Sequence, residues 1–459
     1  MSTERVSIHG QWSSRMAFIL AATGSAVGLG NIWKFPYITG ENGGGAFVLV
    51  YLLCVLIIGI PIMIAEITLG RRGRQSPMNT MYTLAIESGH SPLWKLLGFM
   101  GVFAGFIILS YYSVIAGWAI YYMFLAGGSE FTGITAAGVN SKFLTFTQDP
   151  VYLLFFHTLF MLITMYVVSQ GVRSGLEKAT KLLMPALFVI LLILDGYALN
   201  TKNVDQGISF LFYPDFAKLS WAAVLTAMGH AFFTLSLGMG AIMVYGSYLP
   251  RHTSIAQASM IIAIADTVVA LLAGVAIFPV VFSHGLEAGS GPGLLFITLP
   301  LAFGQMEWGS VFGTLFFLLV IFAAWTSSIS LLEPAVTWLV ENHGFKRIKA
   351  TFVAGVAIWV MGIFTVFSFN KWAFKFSFLG QTYENGFFNI FDILTANVML
   401  PLGGMLIALF AGWFMSREAT RDELDMQDWA YRSWRFLVRY ISPFAILIVF
   451  LNVIGVLKL

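Results

Sequence analysis

Two of the long apolar segments in this chain are interrupted near their centres. Residues 16–38 read as one membrane span, but the middle of this span holds Gly24, Gly28 and Gly30. Residues 221–249 carry a similar interruption, made of Thr234, Ser236, Gly238 and Gly240. Glycine loosens a helix, and a backbone group left unpaired in a membrane is costly unless it lines a cavity inside the protein. Breaks in the first and sixth spans therefore indicate a binding site at mid-membrane, as in secondary transporters.

The composition is typical of a chain that lies almost entirely in a membrane. Apolar residues make up 58% of the 459 residues and charged residues only 10%. This balance predicts an all-α polytopic membrane protein without a soluble domain. About eleven apolar runs are long enough to span a bilayer, at residues 16–38, 43–69, 97–125, 150–169, 182–199, 221–249, 255–283, 306–340, 351–369, 387–415 and 436–457.

Positive charges predict the orientation of these spans. Basic residues cluster after the even-numbered spans, as with Arg71, Arg72 and Arg74 after the second, and are sparse in the other loops. The positive-inside rule then places the N-terminus in the cytoplasm, and an odd number of spans places the C-terminus outside. The modest net charge of +3 argues against nucleic acid as a partner, and the single cysteine, Cys54, excludes an internal disulfide.

The positions of the two breaks suggest an internal repeat. They lie five spans apart, and a unit with an odd number of spans inverts when it is repeated. We expect a single transmembrane domain over residues 1–459, with inverted five-helix repeats at 16–199 and 221–415. The eleventh helix, at 436–457, would lie outside the repeats.

Four stretches of sequence closely resemble the neurotransmitter:sodium symporters: residues 24–37, 41–47, 232–238 and 326–328. The resemblance runs from Trp12 to the end of the tenth span, and is greatest to bacterial members that carry many hydrophobic amino acids. It implies the leucine-transporter fold in the plasma membrane of a prokaryotic cell. It also implies sodium-coupled symport by alternating access, with no enzymatic activity, and allows a homodimer.

The broken helices suit a zwitterionic substrate. A half-helix N-terminus attracts an anion, and a half-helix C-terminus offers carbonyls to a cation. By resemblance, Leu29, Gly30 and Tyr112 hold a carboxylate, while Ala26, Phe233, Thr234 and Ser236 hold an ammonium group. The same resemblance surrounds the substrate side chain with Ile108, Phe233, Met239, Ser328 and Leu331. Tyr112 could instead be a core tyrosine, and the apolar set could be ordinary core.

Gly28 bears on the class of substrate. Family members that carry monoamines have an aspartate at this position, which pairs with the amine of a substrate that lacks a carboxylate. Glycine leaves room for the substrate's own carboxylate, which favours hydrophobic L-amino acids over amines. Glycine here is also compatible with simple close packing.

The resemblance implies two sodium sites and no chloride. The first is formed by Ala26, Asn31, Thr234 and Asp266, and the second by Gly24, Val27, Ala323, Thr326 and Ser327. A carboxylate near a helix centre costs roughly 2.5–3.5 kcal/mol on insertion scales, so Asp266 needs a partner, either sodium or a structural contact. Asp266 supplies a negative charge where chloride-dependent relatives have asparagine, and Ala270 lacks the hydroxyl that those relatives use to bind chloride. His230 is either a packed or a titrating histidine.

Gates are expected on both sides of this site. Lys34 and Asp392 match the family's extracellular pair, with Trp33 beside them and Tyr112 and Phe233 as an aromatic lid beneath. Glu341 matches the acid of the cytoplasmic gate, but His9 stands where the family has arginine, and Arg5 is an alternative partner. Glu66 is expected to hold the unwound part of the sixth span. Gly175 and Pro185 mark either an ordinary start of the fifth helix or a segment that unwinds.

Two alternatives remain open from the sequence. The chain could carry an osmolyte or an amine, or it could be a membrane amino-acid sensor with the same fold. The sequence has no phosphate-binding loop, metal-binding Cys/His cluster or nucleophile triad that would indicate an enzyme.

Overall fold

The computed structural model of the protein describes residues 5–286, 293–378, 381–453 and 455–457. Most of these residues are helical, which confirms the predicted all-α polytopic fold. The helices are α1 Arg15–Ala26, α2 Gly30–Glu41, α3 Gly45–Gly73, α4 Pro77–Glu87, α5 Pro92–Gly127, α6 Ala136–Gln148, α7 Pro150–Ser169, α8 Val172–Ala198, α9 Val204–Phe212, α10 Trp221–Thr234, α11 Ala241–Ser247, α12 Ile255–Ser283, α13 Leu294–Gln305, α14 Gly309–His343, α15 Arg347–Ser368, α16 Gly386–Phe414, α17 Arg417–Leu424 and α18 Asp428–Asn452. A small hairpin pairs β1 Phe376–Phe378 with β2 Gln381–Tyr383.

The number of membrane helices is consistent with eleven. Within the described ranges, nine continuous helices are long and apolar enough to cross a bilayer, and the pair α1 and α2, bent by 48°, makes a tenth. Helices α10 and α11 are too short individually, but they flank the second predicted break. Both interruptions therefore fall where the sequence predicts them.

The backbone at the two breaks leaves helical geometry for identifiable reasons. Val27 ends α1 with an extended ψ of 108°. Between α10 and α11 the chain adopts positive φ three times, at Ser236, Gly238 and Gly240. Glycine adopts this left-handed conformation without the steric cost that other residues incur, so these two glycines permit the turn.

Most span boundaries differ from the prediction by a few residues, and the starts of two spans differ by more. The fifth span begins at Val172 and not at residue 182, because its first turns carry Arg173, Glu177 and Lys178, which lower its apparent apolarity. The eleventh begins at Asp428, since its first two turns are amphipathic. The short helices α4, α6, α9, α13 and α17 were not predicted at all, because none of them is long and apolar.

Packing places the first break at the centre of the bundle. Helix α1 contacts α8, α12 and α14, and α11 packs against α3. Where α11 packs against α3, a Cβ on Gly70 would overlap the carbonyl of Met243. The two helices therefore approach more closely than a larger residue would allow. Small residues of this kind are the usual means of close helix packing in membranes.

Candidate functional site

The two helix breaks face each other across a small cavity. The hydroxyl of Ser236, in the second break, donates a hydrogen bond to the carbonyl of Ser25 at 2.7 Å. The cavity has a volume of about 20 Å³, enough for about one water molecule. Its walls are formed by Ser25, Ala26, Gly28, Gly30, Ile108, Tyr112, Phe233, Ser236, Met239, Ser327 and Leu331.

Most of the predicted substrate residues lie on these walls, and three do not. Leu29 lines a separate, larger cavity, while its N–H donates to the Tyr112 hydroxyl at 3.1 Å. Thr234 is turned toward Asp266. The hydroxyl of Ser328 shares a hydrogen bond with Thr164 of α7 at 2.9 Å and lies outside the walls. Ser25 and Ser327 are wall residues that the substrate prediction omitted.

Gly28 has no room for a side chain. A Cβ at this position would lie 2.5 Å from the Ser327 hydroxyl and 2.7 Å from the Tyr112 hydroxyl. Both distances are shorter than any ordinary contact. Any larger residue at position 28 must therefore displace groups on the cavity wall, whether or not it is charged.

The predicted first sodium site is a cluster of buried oxygens around Asp266. Asn31 donates from its side-chain amide to the Asp266 carboxylate at 2.7 Å and to its carbonyl at 3.0 Å. Thr234 donates to the same carboxylate at 3.1 Å. Asp266 is fully buried and has no ion pair with Lys, Arg or His within the described part of the chain. A buried carboxylate with oxygen neighbours and no cationic partner fits a hard cation.

The predicted second sodium site lies between the first break and α14. The Ser327 hydroxyl is 3.3 Å from the Gly24 carbonyl and 3.1 Å from the Val27 carbonyl. The Thr326 hydroxyl is 3.1 Å from the carbonyl of Ala323. All five predicted ligands are buried, and their oxygens are neutral hard donors of the kind that sodium requires.

A vestibule of about 480 Å³ lies above the small cavity. Tyr112 and Phe233 line both spaces and so separate them, as expected of a lid. Lys34, Trp33 and Asp392 line the vestibule. We call this side of the bundle the vestibule side.

The predicted gate pair on the vestibule side is not formed in this conformation. The Lys34 ammonium lies 4.7 Å from the centre of the Phe233 ring. Asp392 accepts a long hydrogen bond of 3.5 Å from Tyr111. No ion pair joins Lys34 to Asp392, both of which the structure describes.

The opposite side, which carries residues 5–14, is closed by polar pairs. His9 contacts the Glu341 carboxylate at 3.0 Å. Arg5 does not replace it, because Arg5 pairs with Glu87 at 2.9 Å. Partial burial acts to raise the pKa of Glu87, but hydrogen bonds from Arg72 and Arg5 hold this pKa below its usual value. We call the side that carries residues 5–14 the N-terminal side.

A second ion pair on the N-terminal side was not predicted from the sequence. Tyr248 donates to the buried carboxylate of Glu333 at 2.6 Å, and Arg347 forms a close ion pair with the same carboxylate. A glutamate inside an apolar span is rare unless it has a partner. Glu333 therefore carried a signal in the sequence, although its partners did not.

The remaining predicted residues occupy structural positions. Glu66 accepts the N–H of Gly238 at 2.8 Å and so holds the second break. Gly175 lies in the wide π-helical turn with which α8 begins, and Pro185 lies within that helix.

His230 and Ala270 lie beside the first predicted sodium site. His230 is buried between Phe35 and Tyr51, with ring centres 6.0 Å and 5.4 Å away, and neither ring nitrogen has a hydrogen-bond partner among the residues that the structure describes. This environment is that of a packed histidine. Ala270 is fully buried.

Comparisons with known proteins identify the family of this chain. The sequence profile of the sodium:neurotransmitter symporter family matches residues 9–133 and 151–458. An uncharacterized sodium-dependent transporter, YhdH of Bacillus subtilis, is 38% identical, with 98% of each chain covered. An uncharacterized sodium-dependent transporter of Haemophilus influenzae is 31% identical, covering 96% of this chain and 97% of its own.

A solved structure has the same fold. The crystal structure of MhsT in complex with L-phenylalanine superposes with a TM-score of 0.89 at 43% sequence identity, over 97% of this chain and 99% of that chain. The family and the fold implied by the sequence resemblance are thereby confirmed. The chain belongs to the sodium:neurotransmitter symporter family, whose members are sodium-coupled membrane transporters and not enzymes.

Proposed function

We propose that the protein imports hydrophobic L-amino acids together with two sodium ions, by exposing one site alternately to each side of the membrane. The lack of room for a side chain at Gly28 is the observation that carries the choice of substrate. This position provides no carboxylate to pair with an amine, and it has no room for one. A substrate at this site must therefore bring its own negative charge.

The ends of the broken helices supply the polar contacts for such a substrate. Gly30 lies at the start of α2, where the helix dipole favours a carboxylate. Ala26 lies at the end of α1, where the helix dipole favours an ammonium group. Both residues line the same small cavity, so one zwitterion can reach both helix ends.

The rest of the cavity favours an apolar side chain. Ile108, Phe233, Met239 and Leu331 line it, and none of its wall residues is Lys, Arg, Asp or Glu. Methionine adapts to differently shaped groups, which suits both aliphatic and aromatic substrates. The cavity is smaller than any of these substrates, so Phe233 and Met239 must move on binding. The L-phenylalanine bound to the similar protein MhsT supports this substrate class.

Sodium supplies the driving force in this proposal. Its two sites would be the Asp266 cluster and the Thr326–Ser327 region, which share the first helix break with the substrate cavity. One sodium ion moving down 100 mV releases about 2.3 kcal/mol, so two release about 4.6 kcal/mol before any concentration gradient is counted. The distribution of Lys and Arg supports a cytoplasmic N-terminus and an external C-terminus in a prokaryotic plasma membrane. The vestibule then faces outward.

Chloride has no role in the proposed cycle. The fixed charge of Asp266 balances sodium at the first site, and Ala270 lacks a hydroxyl that could bind an anion. We expect uptake to be unchanged when gluconate replaces chloride. The double variant Asp266→Asn, Ala270→Ser should become chloride-stimulated. Loss of wild-type uptake in gluconate would contradict this role of Asp266.

Uptake into proteoliposomes under an imposed sodium gradient tests the proposal. Labelled leucine should accumulate only with an inward sodium gradient, and phenylalanine and tryptophan should compete with it. Dopamine, serotonin and betaine should not compete. Competition by an amine or by betaine would favour the alternative of an amine or osmolyte carrier. Saturable leucine binding without accumulation would favour a sensor.

A further inference from the structure

Residues 7–14 form a strap that lies across the N-terminal side of the bundle. The Trp12 side chain is buried, its indole N–H donates to the Tyr245 carbonyl at 3.0 Å, and its backbone N–H donates to the Tyr248 carbonyl at 3.1 Å. The next residue, Ser13, donates its backbone N–H to the Glu177 carboxylate at 3.0 Å. The strap therefore ties the end of α11 to the π-helical first turn of α8.

The other end of the strap is held by His9. Its Nε2 atom lies 3.0 Å from the Glu341 carboxylate of α14, and the side chains of His9 and Glu341 are only 4% and 7% exposed. The same carboxylate accepts the Ser76 N–H at 2.8 Å and the Asn79 side-chain amide at 2.8 Å. Within the described residues, His9 is the basic side chain that pairs with the Glu341 carboxylate.

The surroundings of His9 isolate this pair. Helix α14 contributes Glu341, α4 contributes the neutral Asn79, and the end of α11 contributes the Tyr248 ring, 6.0 Å from the His9 ring. The next charged groups already have partners: Arg5 pairs with Glu87, and Arg347 pairs with Glu333. Among residues 7–14, His9 is the one ionisable side chain, and histidine changes charge between about pH 5 and 8.

We propose that His9 is a proton-binding site that sets the strength with which the strap is closed. A neutral His9 makes an ordinary hydrogen bond with Glu341, whereas a protonated His9 makes a buried ion pair. Closure is therefore stronger at a pH at which His9 carries a proton, and weaker at a pH at which it is neutral. An arginine or lysine at this position would remain charged throughout this range.

Release of the strap has a consequence for α8. Once His9 leaves Glu341, two side-chain contacts still join the strap to the first turn of α8. Ser13 contacts Glu177, and the Arg173 side chain donates a hydrogen bond to the Gln11 carbonyl at 3.0 Å. Gly175 and Pro185 lie in and beyond that turn. A proton on His9 thereby opposes opening of the N-terminal side. In the orientation proposed above this side faces the cytoplasm, so the cytoplasmic pH would control its opening.

Amide hydrogen exchange of the strap measures this directly, without requiring transport. The full-length protein, purified in detergent with saturating sodium, is compared at about pH 5.5 and about pH 7.5, on either side of the histidine titration. After correction for the intrinsic exchange rate, the amides of Trp12 and Ser13 should exchange about fivefold more slowly at the lower pH, the factor expected when a neutral hydrogen bond becomes a charge-assisted one.

Three variants separate His9 from other titrating groups. His9→Arg should be slow at both pH values, and His9→Gln should be fast at both. His252→Gln removes an exposed histidine from the loop between α11 and α12 and should behave like the wild type. Protection that does not change with pH in the wild type, or that still changes in His9→Gln, would overturn the proposal. Either result would leave the proposed transport activity untouched, because exchange is measured without substrate movement.

Discussion

The two sides of the bundle are closed to different degrees. On the vestibule side, a space of about 480 Å³ reaches down to Tyr112 and Phe233, and its charged residues Lys34 and Asp392 are apart. On the N-terminal side, Glu333 and Glu341 are both engaged by basic partners beneath the substrate cavity. The structure is therefore a conformation that faces the vestibule side.

The difference concerns burial as well as distance. Glu333 and Glu341 are largely removed from solvent, whereas Lys34 and Asp392 are partly exposed and line an open cavity. Removal of one partner from a buried pair is strongly destabilising, because it leaves an uncompensated charge. Partly exposed charges contribute little. Substitutions on the two sides should therefore differ greatly in their effect on this conformation.

The largest effect is expected from Arg347→Ala. This variant leaves Glu333 buried with only Tyr248 as a partner, and should destabilise the vestibule-facing conformation by about 3–5 kcal/mol. Sodium binding measured on purified protein should then require at least a hundredfold more sodium. Arg421→Ala is the matched control, because Arg421 pairs with Asp428 on the exposed surface of the same side. If the two variants bound sodium equally well, the Arg347–Glu333 ion pair would not be what keeps the N-terminal side closed.

The next largest effect is expected at Gly28, between the two sides. Gly28→Ala places a methyl group against Ser327 and Tyr112, and overpacking of this kind costs about 1–3 kcal/mol. Gly28→Asp adds a negative charge against that of the substrate and should weaken leucine binding further. Equilibrium binding of labelled leucine to the two variants separates the steric part from the electrostatic part. Wild-type affinity in Gly28→Asp would show that Gly28 does not face the substrate.

A smaller effect is expected from removing hydroxyls at the proposed second sodium site. The double variant Thr326→Ala, Ser327→Ala loses two of the proposed ligands but keeps the backbone carbonyls of Gly24, Val27 and Ala323. We expect the sodium concentration for half-maximal uptake to rise about tenfold, equivalent to about 1.4 kcal/mol. Ser328→Ala is the control, because its hydroxyl faces Thr164 and not α1. Unchanged sodium dependence in the double variant would exclude this site.

The three adjacent hydroxyls also show what sequence can and cannot establish. Successive residues on a helix point about 100° apart, so Thr326, Ser327 and Ser328 cannot all face one site. Ser327 faces the carbonyls of the first break, while Ser328 faces α7. The resemblance drew attention to the segment as a whole. Which hydroxyl reaches which helix depends on how α14 is rotated against its neighbours, and the local sequence does not determine that rotation.

The broken spans could be predicted from the local sequence, whereas the contacts at the gates could not. Glycines in an apolar run are a local signal, and both breaks lie where they were predicted. The contact joins Tyr248 to Glu333, 85 residues further along the chain, and Glu333 to Arg347 on the next helix. No local pattern brings these three residues together. Whether Lys34 contacts Asp392 depends on the conformation adopted, since both residues can line an open vestibule or close it.

The smallest effect on this conformation is expected at that vestibule pair. Lys34→Ala and Asp392→Asn remove charges that do not pair with each other here, so sodium binding to the vestibule-facing form should change by no more than about threefold, or roughly 0.7 kcal/mol. The charges should matter once the vestibule closes over a bound substrate, because they would then be drawn together and shielded from water. Both variants should therefore release bound leucine faster than the wild type while binding sodium almost normally. Lys34→Arg retains the charge and can bind a carboxylate through two parallel hydrogen bonds, so it should slow release. Stopped-flow dissociation of leucine, measured beside sodium titrations, tests both expectations. A large loss of sodium binding in Asp392→Asn would mean that the vestibule side is as strongly held as the N-terminal side, and would remove the asymmetry between them.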